Sequence, residues 1–188
     1  MKIDNVLTHW LWFDLETTGL WTDDGAPQIL QIGGALLPFG DLEYPLWDFQ
    51  YTLYFAPELV SSLNPFVIEM HTRSGLLAEA HASTLMNVGQ AESMVLSKLQ
   101  FYGVEPGKCA PAGSGIAPFD IPLLREHMPR LYRFLHYTSY DIGAGRRMLE
   151  ALSTMDFADM PDHKGGHTAL ADVRAQLKQA RWLREYLR

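Results

Sequence analysis

Apolar positions fall in short dense runs over the first third of the chain and at helical spacing over much of the rest. Val6 to Glu16 is rich in Trp, Leu and Phe and reads as a largely buried strand. Thr17 to Gln28 is polar, with Gly19, Asp23, Asp24, Gly25 and Pro27, and reads as a loop. Ile29 to Leu37 is a second strand, ended by Pro38 and Gly40, and Trp47 to Phe55 alternates as a third. Three strands with short links predict an antiparallel meander.

From Pro57 the texture becomes helical. Asn64-Pro65 marks a helix start, because proline is tolerated in a first turn. Gly89 to Tyr102 sets Ala91, Met94, Val95, Leu99 and Phe101 at helical spacing, with Gly103 closing the helix. Cys109 to Gly113 reads as a short buried strand, and Phe119 to Met128 and Pro129 to Leu135 as two helices. His136 to Ile142 reads as a last strand and Gly143 to Leu152 as a helix. Ser153 to Gly166 is a loop. From Thr168 onward, Leu170, Val173, Leu177, Ala180 and Leu183 line one face of a long amphipathic helix. Strands first, then helix–strand alternation, predict one α/β domain over 1–188, a mixed β-sheet flanked by α-helices.

Composition narrows the setting. A chain of 188 residues suits a single sizeable core. No apolar run approaches the roughly 20 residues of a membrane span, and no signal-peptide pattern opens the chain, so no membrane partner is expected. One cysteine, Cys109, excludes an internal disulfide framework and fits a reducing, cytoplasmic setting. The net charge of −7 argues against tight nonspecific binding of duplex DNA. It leaves room for a short strand bound through a few basic residues and metal ions.

The chemistry begins at Asp14-Leu15-Glu16. Side chains alternate along a strand, so these two carboxylates share a face and repel unless a cation lies between them. Asp120 follows the Gly-rich stretch Gly113-Ser114-Gly115 at the start of a helix. His167 and Asp172 are five residues apart, about 140° around a helix, and can flank one pocket near its N-terminus. Gly165-Gly166 give His167 a mobile approach. Each also has a plain structural reading: a solvated strand end for Asp14 and Glu16, and a dipole-favoured helix start for Asp120. Asp141 reads as a helix cap.

In this order and at these intervals, the motifs resemble the DEDD 3′–5′ exonucleases of the ribonuclease H-like fold, in their histidine-bearing (DEDDh) branch. The resemblance sharpens to the oligoribonucleases. It rests on Asp14 to Leu20, on Met70 to Leu76 with Ala82-Ser83-Thr84, on His127 to Leu131, on His136-Tyr137 and Tyr140-Asp141, and on His167 to Arg174. The chain departs from that pattern at four places. Its Gly113 to Asp120 segment is one residue longer and lacks an Asn, ending in the Phe-Asp of proofreading exonucleases. Thr138 stands where the subfamily has an arginine that helps hold a dinucleotide's 5′ phosphate. Gly143 and Phe66 replace a serine and a tryptophan.

The resemblance implies a ribonuclease H-like fold and a two-metal hydrolase. Asp14, Glu16, Asp120 and Asp172 would be the ligands of two Mg²⁺ or Mn²⁺ ions, and His167 the general base. Thr17, Gly19 and Leu20 would floor the terminal base, with Leu20 as a wedge. His71 would sit near the substrate, and Tyr137 would be lent by the other subunit of a homodimer. The expected substrate is a short single strand, RNA ahead of DNA, cut to nucleoside 5′-monophosphates. One alternative is a proofreading-type exonuclease acting on DNA 3′ ends. Another is a catalytically silent protein that binds nucleic-acid ends or a polymerase.

Overall fold

A computed structural model describes residues 6–22, 25–83, 86–154, 157–162 and 166–186. Asp23, Asp24, Thr84 and Gly165, which the sequence places in turns or motifs, lie outside them. The centre is a five-stranded mixed sheet in the order β3-β2-β1-β4-β5. Strands β1 (His9–Thr17), β2 (Ile29–Pro38) and β3 (Trp47–Thr52) form the expected antiparallel meander. Strand β4 (Cys109–Gly113) adds to β1 in parallel, pairing His9 with Cys109 and Trp12 with Ala112.

Alternation along β1 divides the molecule. Leu11, Phe13 and Leu15 enter a core with Ile32, Leu36 and Phe49, closed by Val95 and Leu99 of α3 (Val88–Phe101). Leu123 and Leu124 of α4 (Asp120–His127) and Leu131 of α5 (Pro129–Phe134) complete it. Trp12 faces the other way, into a second cluster with Ala35, Leu37 and Val173, Leu177 and Ala180 of α7 (Ala169–Tyr186). Asp14 and Glu16 follow Trp12 on that face by the two-residue period. One side of β1 therefore packs oil, while the α7 side changes from oil to carboxylate along its length.

The helix signals hold with local adjustments. Asn64 caps α1 (Pro65–Arg73) by accepting the Phe66 N–H, and Asn87 with Gln90 forms a capping box on α3. Helix α2 (Leu76–Ala82) and a 3₁₀ turn at Pro57–Ser62 occupy the stretch that carried only helical texture. The last strand shrinks from seven expected residues to two, β5 (Tyr140–Asp141). The reason is local: the Thr138 N–H turns onto His136 Nδ1 at 3.0 Å instead of joining a ladder. Helix α6 (Ile142–Leu152) follows directly. Among the described residues, no helix is long and apolar enough to cross a membrane.

Glu92, buried on α3, ties that helix to α5 within one layer of this fold. It accepts the backbone N–H groups of Arg130 (2.6 Å) and Leu131 (3.0 Å) and pairs with Arg130 Nε at 2.7 Å. It thereby satisfies the N-terminal turn of α5, where Met128 offers no side-chain cap. Glu92→Ala is expected to cost about 3 kcal/mol, since buried donors lose their partner. The check is a lower urea midpoint at unchanged slope.

Candidate active site

Five chemistry-bearing side chains converge where β1 ends: Asp14 and Glu16 from β1 itself, Asp120 from α4, Asp172 from α7 and His167 from the segment before α7. Glu16 is buried beside Thr17 at a bulge in the β1–β2 ladder. Asp120 occupies the first turn of α4, and its Oδ1 accepts the Leu15 N–H at 3.0 Å, just beyond the point where β4 stops pairing with β1. Asp172 lies in the first turn of α7. His167 precedes that helix, so the helical spacing expected between it and Asp172 does not apply. A backbone φ of 60° turns His167 inward instead. One ligand atom from each of Glu16, His167 and Asp172 lies within 4.8 Å of the others.

The electrostatics bind the remaining carboxyls to this trio. Burial, with Asp172 nearby, pushes the Asp14 carboxyl up to about 7, although a hydrogen bond from Gln176 opposes the shift. Burial and the charges of Asp14 and Asp172 push Glu16 to about 8. Asp120 is raised for the same reasons, burial first and then Asp14, against its Leu15 hydrogen bond. Such crowding of anions can be relieved by protons or by positive charge. The donor set, carboxylate oxygens with one imidazole, suits a divalent cation.

Gln176 is a site residue that the sequence pattern did not disclose. Its Nε2 donates to Asp14 Oδ1 at 3.0 Å, one helical turn beyond Asp172. Its Oε1 is buried without a hydrogen-bond partner among the described residues. The i, i+4 relation to Asp172 was the available signal. Asp141 does cap α6 through the Ala144 N–H, and the same oxygen accepts the Gly115 N–H, each at 3.0 Å. The cap therefore also ties down the loop that leads to Asp120.

Thr17, Gly19 and Leu20 line a cleft of about 850 Å³ that opens beside Glu16. Phe66, Met70 and Phe119 supply its apolar walls. Leu20 is 75% exposed at the mouth of this cleft. The Thr17 hydroxyl donates to the Gly19 carbonyl at 2.7 Å and shapes the loop. His71 lies beside Glu16 but beneath the surface. It is fully buried behind the carboxylates, its Nε2 donating to the Thr17 carbonyl at 2.8 Å and its Nδ1 4.0 Å from Glu16 Oε2. Burial lowers its pKa, and nearby His167 adds to this, against the Thr17 bond. It supports the strand end and presents no surface to the cleft. Tyr137 is 90% exposed and is not part of the cleft wall.

Comparison with known proteins gives this geometry a family. The chain is 31% identical over 178 residues to an oligoribonuclease of Cutibacterium acnes, covering 94% of this chain and 85% of the relative. It is 33% identical over 175 residues to one of Corynebacterium diphtheriae, covering 93% and 80%. This chain belongs to the oligoribonuclease family. No family model matches it. Solved structures of exonuclease I share the fold. That of Methylocaldum szegediense superposes with a TM-score of 0.65 at 20% identity, over 95% of this chain. The E. coli enzyme in complex with a dA16 oligonucleotide gives 0.69 at 18%, also over 95%. The chain spans only 40% and 41% of those two longer chains. The ribonuclease H-like α/β class expected from the motifs is thus the class found.

The raised carboxyls of this oligoribonuclease-family site carry a sign. A carboxyl with a higher pKa folded than unfolded binds its proton more tightly in the native state. Its stabilising effect is complete below the ordinary carboxylate range and fades as pH rises through the folded value. Without divalent metal, the melting temperature should fall between pH 5 and pH 8, the window set by Asp14 and Glu16. Asp14→Asn, which removes one buried charge, should flatten that fall. Thermal melts in chelator across this range provide the check.

Proposed function

We propose that this chain is a metal-dependent 3′–5′ exonuclease that hydrolyses short single-stranded oligonucleotides to nucleoside 5′-monophosphates, with RNA the preferred strand. One observation carries the reading: Asp14, Glu16, Asp120, His167 and Asp172 meet at the rim of a cleft wide enough for a nucleotide. Membership of the oligoribonuclease family supports it. Asp14, Glu16, Asp120 and Asp172 would hold two divalent ions, Mg²⁺ or Mn²⁺, which would lower the pKa of an attacking water and stabilise the leaving 3′ oxygen.

The chain's own groups do the rest. His167 takes the water's proton at an imidazole nitrogen, placed within reach of Glu16 and Asp172. Gln176 orients Asp14, and the Leu15 N–H orients Asp120. Thr17, Gly19 and Leu20 receive the terminal nucleotide, opposite Phe66 and Met70. Apolar contacts to a base do not read its identity, so weak sequence preference follows. Thr138, in the place of an arginine that would grip a 5′ phosphate, favours a relaxed length limit. The same loss supports a second reading, trimming of DNA 3′ ends.

We further propose a cytoplasmic homodimer whose partner presents Tyr137. In the single chain that tyrosine stands exposed, as do Met148 and Leu152 on α6. Light scattering should give twice the chain mass, and a monomer would remove Tyr137 from the site.

Initial rates with Mn²⁺ on a diribonucleotide, a longer RNA and single-stranded DNA test the substrate. RNA should be cleaved faster than DNA, without strict preference for the dinucleotide. Faster DNA cleavage would favour the second reading, and an inert wild type would end the enzyme reading. Asp14→Asn and Asp172→Asn should each lower kcat by about 10³-fold or more, as expected for loss of charge that holds catalytic metal.

A further inference from the structure

The sheet carries a seat for the first turn of α7, built from residues outside the carboxylate set. Cross-strand partners stand side by side, so rows run across the meander. One row is Glu16, Gln31 and Thr52, and the next is Asp14, Gly33 and Gln50. Gln31 Oε1 accepts the Ala169 N–H at 2.9 Å, and Gln50 Oε1 accepts the Leu170 N–H at 3.2 Å. These amides belong to the turn of α7 that has no intrahelical acceptor. Between the two glutamines Gly33 leaves the sheet bare. A Cβ there would lie 2.3 Å from the Leu170 nitrogen, so the helix end rests directly on the strand.

Gln31 is itself fixed. It is fully buried, and its Nε2 donates to Thr52 Oγ1 at 2.7 Å and reaches Glu79 Oε2 at 3.5 Å. The Thr52 hydroxyl in turn donates to Glu79 Oε1 at 2.6 Å. The chain from α2 to β3 to β2 to α7 thus determines which way the Gln31 amide points. Two residues before Ala169 stands His167, in a left-handed conformation that costs a non-glycine residue about 1–3 kcal/mol and persists only where its surroundings over-determine it.

We infer that Gln31, seated between Thr52 and the first turn of α7, is a positioning residue that keeps His167 and Asp172 aligned on the β1 carboxylates. The inference rests on the exonuclease reading for its kinetic consequence, whereas the seat itself can be measured without catalysis. Gln31 touches neither substrate nor reacting atoms. It acts through the Ala169 amide, on a helix end whose displacement by about 1 Å can cost up to 10²-fold in rate.

Gln31→Met keeps the volume and removes the acceptor. By amide hydrogen exchange, Ala169 and Leu170 should lose about tenfold or more of their protection while core strand amides keep theirs, as local opening requires. On a short RNA, kcat should fall by about tenfold or more with KM within about twofold, the pattern of a lost transition-state alignment. Gln31→Glu paired with Glu79→Gln restores an acceptor for Ala169 and a donor behind it, and should recover most of both losses. Gly33→Ala, which forces the helix end outward, should reproduce the defect. Unchanged protection in Gln31→Met, or lost protection with wild-type kcat, would overturn the inference. A wild type without hydrolysis would end the exonuclease reading, while the exchange measurement would still decide the seat.

Discussion

Like charges gathered in a poorly solvated place repel, and this molecule concentrates them at the end of one strand. Asp14 and Glu16 share a face because of the pleat, and Asp120 and Asp172 are brought beside them by helices from opposite layers. Burial and mutual repulsion raise the carboxyls of Asp14, Glu16 and Asp120. No packing of apolar side chains relieves that strain; hydrogen-bond donors offset part of it, and positive charge or protons the rest. The rest of the fold can be understood as the scaffold needed to keep those groups together despite it.

The scaffold uses backbone donors and amide side chains to hold the anions. Leu15 N–H holds Asp120, Gln176 holds Asp14, and the buried His71 backs the strand end through the Thr17 carbonyl. Lysine or arginine in those places would neutralise the site and compete with a metal ion. Neutral donors orient the oxygens and leave the charge available. Similar economy appears at α7, where two glutamine carbonyls and a bare glycine receive the helix end. The helix then delivers Asp172 and Gln176 from one face while its apolar positions pack on Trp12 and Ala35.

The cleft is built differently from the charged rim. Its walls are exposed apolar residues on the loop after β1 and on α1, and Leu20 and Phe66 are open to solvent. A charged rim thus lies directly beside an apolar cleft. Tyr137 lines neither of them and stands 90% exposed.

Patterns of period two and period 3.6 were enough to determine the meander, the α3 and α7 helices and the pairing of Asp14 with Glu16, because those regularities are local. Motif spacing was enough to single out Asp120, His167 and Asp172. Tertiary structure alone decided that the strand after His136 collapses to two residues, that His71 lies behind the site, and that His167 enters through a left-handed turn before α7. It also brought out Gln31, Gln50 and Gln176. Glutamine carries no periodicity or charge signature, and its importance depends on which distant backbone amide or carboxylate the folded chain sets within about 3 Å of it, the reach of a hydrogen bond.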